Sequence, residues 1–249
     1  MKTIKRVLVL LIMILVVVIY LTNKDTKIYY VSLGDGLGRG MNANDKIGYG
    51  YSDYIKEYLE DIDKLEFYTK QFSDKDKRTT DIINNINDNI EIIEDSKSLT
   101  IKKALMHADI ITLSTGLNEL LYKLQNENLD SYQMYKYIDN LIEDIDDLID
   151  IIKKYCKEDI FILGYYNPYV NKNVSDDIDK YIKYANNKLI ELSKDEEIIY
   201  IDLYNILKNN SQVFTSVDSH YPNIDGYKLI SREIIEKIEK KVIKTLKEM

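Results

Sequence analysis

Five short runs of β-branched and aromatic residues, each separated from the next by a longer stretch of helical periodicity, constrain this chain more than any other feature. They occupy residues 28–33, 65–68, 110–114, 160–164 and 198–201. Most are apolar throughout rather than alternating, the pattern of strands buried on both faces. Residues 129–155 carry Met134, Ile138, Leu141, Ile142, Ile145, Leu148, Ile149 and Ile152 at i, i+3, i+4 spacing, with Asp and Glu between them as a solvated face. Further helices are expected over 50–62, around Ile82, Ile83 and Ile86 behind a Thr79 or Thr80 cap, over 175–193, and from near Asp225 almost to Met249. Strands and helices in this alternation build a parallel sheet covered on both sides, an α/β chain of three layers, α/β/α. No composition break or Gly/Ser linker divides residues 23–249, which read as one domain.

Ahead of that domain, Lys2, Lys5 and Arg6 precede the unbroken apolar run VLVLLIMILVVVIY at 7–20. A basic flank before such a run is the pattern of a signal peptide or signal anchor. Residues 20–24 offer no small side chains for cleavage, and no cysteine stands nearby for lipid attachment. Residues 1–22 therefore read as a single-pass anchor, with the membrane as partner through residues 7–22. The basic end lies in the cytoplasm and the domain on the extracytoplasmic side. Secretion after signal cleavage is the alternative. The chain has 34 basic and 42 acidic residues, a net charge of −8, which argues against a nucleic-acid partner. Its single cysteine, Cys156, excludes an internal disulfide and a cysteine-bound metal cluster. No cofactor and no metal are expected.

In a parallel sheet covered by helices, functional residues gather at the carboxyl ends of the strands. Those ends read Gly34-Asp35-Gly36-Leu37, then Ser114-Thr115-Gly116-Leu117-Asn118-Glu119, then Tyr165-Tyr166-Asn167-Pro168. Near the C-terminus come Asp218-Ser219-His220-Tyr221-Pro222-Asn223 and Gly226-Tyr227. Taken together, these blocks resemble the SGNH, or GDSL, hydrolase family, particularly its lysophospholipase-like esterase branch. The resemblance runs from Ile28 to the final helix, with four motifs in the family's order. It implies a flavodoxin-like, five-stranded three-layer sandwich that hydrolyses esters through a serine nucleophile. A histidine acts as its base, an aspartate three residues earlier orients that histidine, and backbone and asparagine donors hold the oxyanion.

Carried over residue by residue, the resemblance puts Gly36 at the nucleophile's position, where glycine has no atom with which to attack. Asp76 or Lys77 stands where the second block has its glycine donor. The third block survives as Gly116, Leu117 and Asn118, with Glu119 for the commoner aspartate. Alignment on Pro222-Asn223 and Gly226-Tyr227 places Asp218 at the aspartate position and Tyr221 at the histidine position, with His220 one residue early. The substrate side is assigned to Gly36, Asp76, Gly116, Asn118, Tyr166 and Asn167. Ser32, Ser114, Thr115 and Ser219 are possible replacement hydroxyls, more simply read as packed or turn residues. Tyr165, Tyr166, Tyr169 and Tyr221 are candidates to line one cleft, as rings with a polar tip. The expectation is a fold that binds an acylated lipid, glycan or envelope polymer with ester hydrolysis lost or impaired. The alternative is an active esterase using His220 and Asp218 with a non-standard nucleophile.

Overall fold

The computed structural model describes residues 27–94, 97–169, 175–216 and 219–243. The anchor expected over residues 1–22 lies outside them, as does Asp218. Among the described residues no helix is long and apolar enough to cross a membrane.

All five anticipated strands form, as β1 (Ile28–Gly34), β2 (Leu65–Thr69), β5 (Ile110–Ser114), β6 (Asp159–Leu163) and β7 (Ile199–Ile201). They make one parallel sheet in the order β2-β1-β5-β6-β7. The central strands β1 and β5 are almost wholly buried, which is why their sequences are continuous apolar runs. Two further strands, β3 (Glu91–Glu94) and β4 (Lys97–Thr100), pair as an antiparallel hairpin apart from the main sheet. Sequence periodicity passes over them because each has only four residues, with two apolar positions in β3 and one in β4. Ile92 opposite Leu99 supplies the inward pair.

The helices are α1 (Gly36–Arg39), α2 (Tyr51–Asp61), α3 (Thr79–Asn87), α4 (Ile101–His107), α5 (Leu117–Asn126), α6 (Ser131–Lys153), α7 (Ser175–Asp195), α8 (Leu203–Lys208) and α9 (Ile224–Ile238). Helices α3, α6 and α7 pack side by side in one layer, and α2 packs against α9 in the other. Right-handed crossovers require this split, because the chain moves toward one sheet edge through α2 and toward the other through α3, α6 and α7. Helix α6 buries Met134, Ile138, Leu141, Ile145, Leu148, Ile149 and Ile152. A capping box starts it, with the Gln133 N–H donating to Asp130 at 2.8 Å and the Asp130 N–H to Gln133 at 3.0 Å. Helix α3 corrects the expected threonine cap. Arg78 is its N-cap, its N–H donating to Asp81 at 3.0 Å, while Thr79 lies inside the first turn. The last helix begins at Ile224 and gives way to a π-turn at Glu239–Ile243.

Because Ile145 is fully buried beneath the sheet, Ile145→Ala is expected to cost about 2–5 kcal/mol in urea unfolding. Tyr132→Ala, on the exposed face of the same helix, should stay within about 0.5 kcal/mol of the parent.

Candidate functional site

Counted along the chain, the sheet strands run 2-1-3-4-5 in space, so successive connections diverge between β1 and β5 and open a crevice at their carboxyl ends. Strand β1 ends on Gly34 at φ +143°, and a Cβ there would lie 1.9 Å from the Ser114 carbonyl oxygen. No other residue fits so close to β5. The Asp35 N–H donates to that same carbonyl at 2.9 Å. Asp35 Oδ1 accepts from the Leu37 N–H at 3.0 Å and from the Ser114 hydroxyl at 2.9 Å, and Ser114 Oγ accepts from the Gly38 N–H at 3.0 Å. Burial pushes the Asp35 carboxyl up to about 7, even though the bonds from Ser114 and Leu37 pull the other way.

Gly36 follows as the first residue of α1. A Cβ built on it would stand 2.1 Å from the Tyr221 hydroxyl oxygen. The Asn118 amide donates to that oxygen at 3.2 Å and to the Lys75 carbonyl at 3.2 Å, and the Tyr221 hydroxyl donates to the same carbonyl at 3.3 Å. The first, third and last blocks therefore meet at one phenolic oxygen, in the space a side chain at position 36 would enter. The segment before α3 presents a backbone acceptor, Lys75 O, to this cluster. Tyr221 is buried, and burial with the neighbouring Asp35 charge drives its hydroxyl far above the usual tyrosine range, so it stays protonated.

Tyr221, and not His220, is the side chain that reaches Gly36. The His220 ring lies 4.2 Å from the Tyr221 ring, tilted by 42°. Its Nε2 is buried without a hydrogen-bond partner among the described residues. Burial lowers its pKa to about 4, leaving a neutral imidazole at physiological pH.

Other anticipated residues serve the scaffold. Asn167 donates to Asp179 at 3.1 Å and accepts from the Tyr169 N–H at 2.9 Å. The buried Tyr166 donates to the His220 carbonyl at 3.1 Å and stacks on Phe214. Gly116, at φ +85°, caps α5 beneath the Tyr165 hydroxyl, which a Cβ there would approach to 2.1 Å. The expectation that Tyr165, Tyr166 and Tyr169 line an open cleft is thus corrected, since all three are core residues. Ser32 and Thr115 are buried and bonded to Gly38 O and Thr79 respectively, and Ser219 Oγ accepts from the Tyr221 N–H. Asp76 is exposed on the rim. Among the described residues no three His, Cys, Asp or Glu side chains converge as metal ligands.

Next to the cluster opens a cleft of about 590 Å³ between the Lys75–Arg78 segment, α5 and α6, with His220 and Tyr221 at its inner end. Its aromatic residues include Tyr122 and Tyr137, which the strand-end motifs do not indicate. The available signal is the division of α5 into two stripes. Leu117, Leu120, Leu121 and Leu124 pack on the core, while Asn118, Tyr122 and Gln125, at i, i+4 and i+7, line the cleft.

The model of the family described as GDSL-like lipase/acylhydrolase matches residues 30–234. The uncharacterised protein YpmR of Bacillus subtilis (strain 168) is 24% identical over 241 residues, covering 88% of this chain and 84% of its own. The fold is similar to that of the lipase Lip_vut3 from a goat rumen metagenome. Its TM-score is 0.67 at 21% identity, over 83% of this chain and 95% of that one. It is also similar to a catalytic mutant of Axe2, an acetylxylan esterase from Geobacillus stearothermophilus. That comparison gives a TM-score of 0.64 at 13% identity, over 86% and 94% of the two chains.

The raised pKa of Asp35 has a measurable sign. Between its ordinary value of 3.8 and about 7 the folded chain holds a proton that the unfolded chain releases. Stability from this group is therefore complete below about pH 4 and falls as pH rises toward 7, by about 4 kcal/mol at the limit. Asp35→Asn keeps the cap and cannot titrate. The difference in unfolding free energy between parent and variant is expected to shift in the variant's favour across that window, as read by urea titrations at stepped pH.

Proposed function

The chain belongs to the GDSL-like lipase/acylhydrolase family, and from that footing we propose that it is a membrane-anchored, extracytoplasmic member whose cleft binds its ligand with ester hydrolysis lost or strongly impaired. The ligand class is an acylated lipid, a glycan or an envelope polymer. The observation that carries this reading is the Tyr221 hydroxyl, 2.1 Å from where a Cβ on Gly36 would stand and bonded by Asn118.

Serine-ester hydrolysis needs an alkoxide-forming side chain, a base that accepts its proton, and donors waiting for the oxyanion. At position 36 there is no hydroxyl. The hydroxyl that fills the space belongs to a phenol held protonated by burial, a weak nucleophile whose oxygen already engages the Asn118 amide. The adjoining backbone group, Lys75 O, is an acceptor and would repel a developing oxyanion. Loss of a catalytic group from such a set typically costs about 10⁴–10⁶ in turnover. The Asp218 and His220 alternative draws support from one feature, the neutral His220 imidazole, whose Nε2 has no hydrogen-bond partner among the described residues. Against it, the adjacent Ser219 hydroxyl is buried and turned to the backbone of Tyr221.

Extracytoplasmic anchoring is supported by the basic flank and the apolar run at 7–20. The family match begins at residue 30, just after the first strand starts, and so leaves that segment outside the catalytic-type fold.

Labelling with a fluorophosphonate probe is expected to fail on the parent chain. It should also fail on Gly36→Ser alone, because the new side chain meets Tyr221. The double variant Gly36→Ser/Tyr221→His relieves that contact and is expected to gain labelling. Robust labelling of the parent that disappears in His220→Ala would overturn the reading. Removal of residues 1–22 is expected to move the protein from the membrane pellet to the soluble fraction, and a full chain found wholly in the soluble fraction would discard the anchor.

A further inference from the structure

The cleft itself restricts which of the proposed ligand classes it takes. Its charged side chains balance, with Lys75, Lys77, Arg78 and Lys123 facing Asp76, Glu119, Glu127 and Asp144. Three of the four cations are engaged within the protein. Lys75 pairs with Asp45 at 2.5 Å, Lys123 with Glu127 at 2.6 Å, and Lys77 donates to the Phe72 carbonyl at 2.7 Å. Glu119 is likewise occupied, accepting from the Thr79 N–H at 2.7 Å and hydroxyl at 2.8 Å. A polyanion would have to break these pairs, so the lining gives it little net attraction.

An acyl chain fits no better. Apolar ligands gain by covering aliphatic and aromatic surface. Among the described residues that line the cleft, Leu121 is the one aliphatic side chain, and it is turned largely into the core, while the aromatic ones, Tyr122, Tyr137 and Tyr221, each carry a hydroxyl among charged neighbours. What α5 offers instead is an amide at Asn118, a ring at Tyr122 that is 60% exposed, and a second amide at Gln125, all on one stripe. An apolar ring face flanked by amides suits a sugar ring, which is apolar on its C–H face and polar at its edge.

The geometry points to a neutral, hydroxyl-rich glycan as the occupant of this cleft, lying along α5 over Tyr122 between the Asn118 and Gln125 amides. This rests on the reading that the cleft binds a ligand, and it narrows that ligand to one class. The non-catalytic part of the reading is tested separately.

The test is calorimetric titration of the full chain in phospholipid nanodiscs, with empty nanodiscs as blank. Xylohexaose, cellohexaose and chitohexaose serve as neutral probes, and octanoate and a heparin hexasaccharide as apolar and anionic contrasts. At least one neutral hexasaccharide is expected to bind. Its affinity should fall roughly tenfold in Tyr122→Ala, the size of a lost aromatic platform, and stay unchanged in Tyr132→Ala, exposed on α6 outside the cleft. The proposal is overturned if no neutral probe binds at millimolar concentration, if Tyr122→Ala leaves the binding intact, or if octanoate or heparin shows the Tyr122-dependent binding instead. Release of acetate from an acetylated probe that binds with the same Tyr122 dependence would sink the non-catalytic reading and leave the ligand class standing.

Discussion

The close approach of β1 to β5 at Gly34 and Ser114 governs everything built above it. With a Cβ at Gly34 excluded by the Ser114 carbonyl, the chain leaves β1 along a single path. The Asp35–Ser114–Gly38 hydrogen bonds then fix the first turn of α1 against the end of β5. That seam positions Gly36 and Asn118 in the facing first turns of α1 and α5 and leaves between them a gap of one side-chain tip. Either a group from position 36 occupies the gap or something reaches in from elsewhere. Here Tyr221 does so, from the segment leading into α9, and joins the last block to the first and the third.

Burial at this seam also sets its electrical character. Asp35 is pushed toward neutrality from the acidic side, His220 from the basic side, and Tyr221 is held far from ionisation. A serine hydrolase must pass through an imidazolium and an oxyanion, and an environment that suppresses charge on each of these groups works against both. The same dryness explains why the two stripes of α5 matter, because the cleft beside the seam is where water and polar ligand groups can reach protein donors.

Much of the fold was legible from residue pattern alone. Strands buried on both faces write themselves as continuous apolar runs, and α6 announces itself through a seven-residue buried series and its Asp130–Gln133 cap. The β3–β4 hairpin was not legible, because four-residue strands with so few apolar positions carry too little periodicity. At the site, the strand-end motifs located Gly36, Asn118 and Tyr221, which the structure brings together. They gave no hint that the Tyr221 oxygen would fill the space beside Gly36, since that depends on ring length and direction rather than on spacing. Tyr165, Tyr166 and Tyr169 read as cleft residues from their position after β6 and proved to be core. Sequence shows that a ring is near a strand end but not which way it turns. The reverse holds for Tyr122, whose place on the polar stripe of a leucine-rich helix resembles ordinary surface.

A parallel sheet has a polarity that fixes where its two ends can be used. Every strand here begins at one pole and finishes at the other, so the chain enters at Lys27 on the pole opposite the cleft. Seven residues of β1 at about 3.3 Å each put roughly 23 Å of sheet between that entry and the Gly36–Tyr221 contact. Whatever is joined ahead of Lys27 therefore meets the domain at its base, with the full depth of the sheet between that junction and the mouth of the cleft.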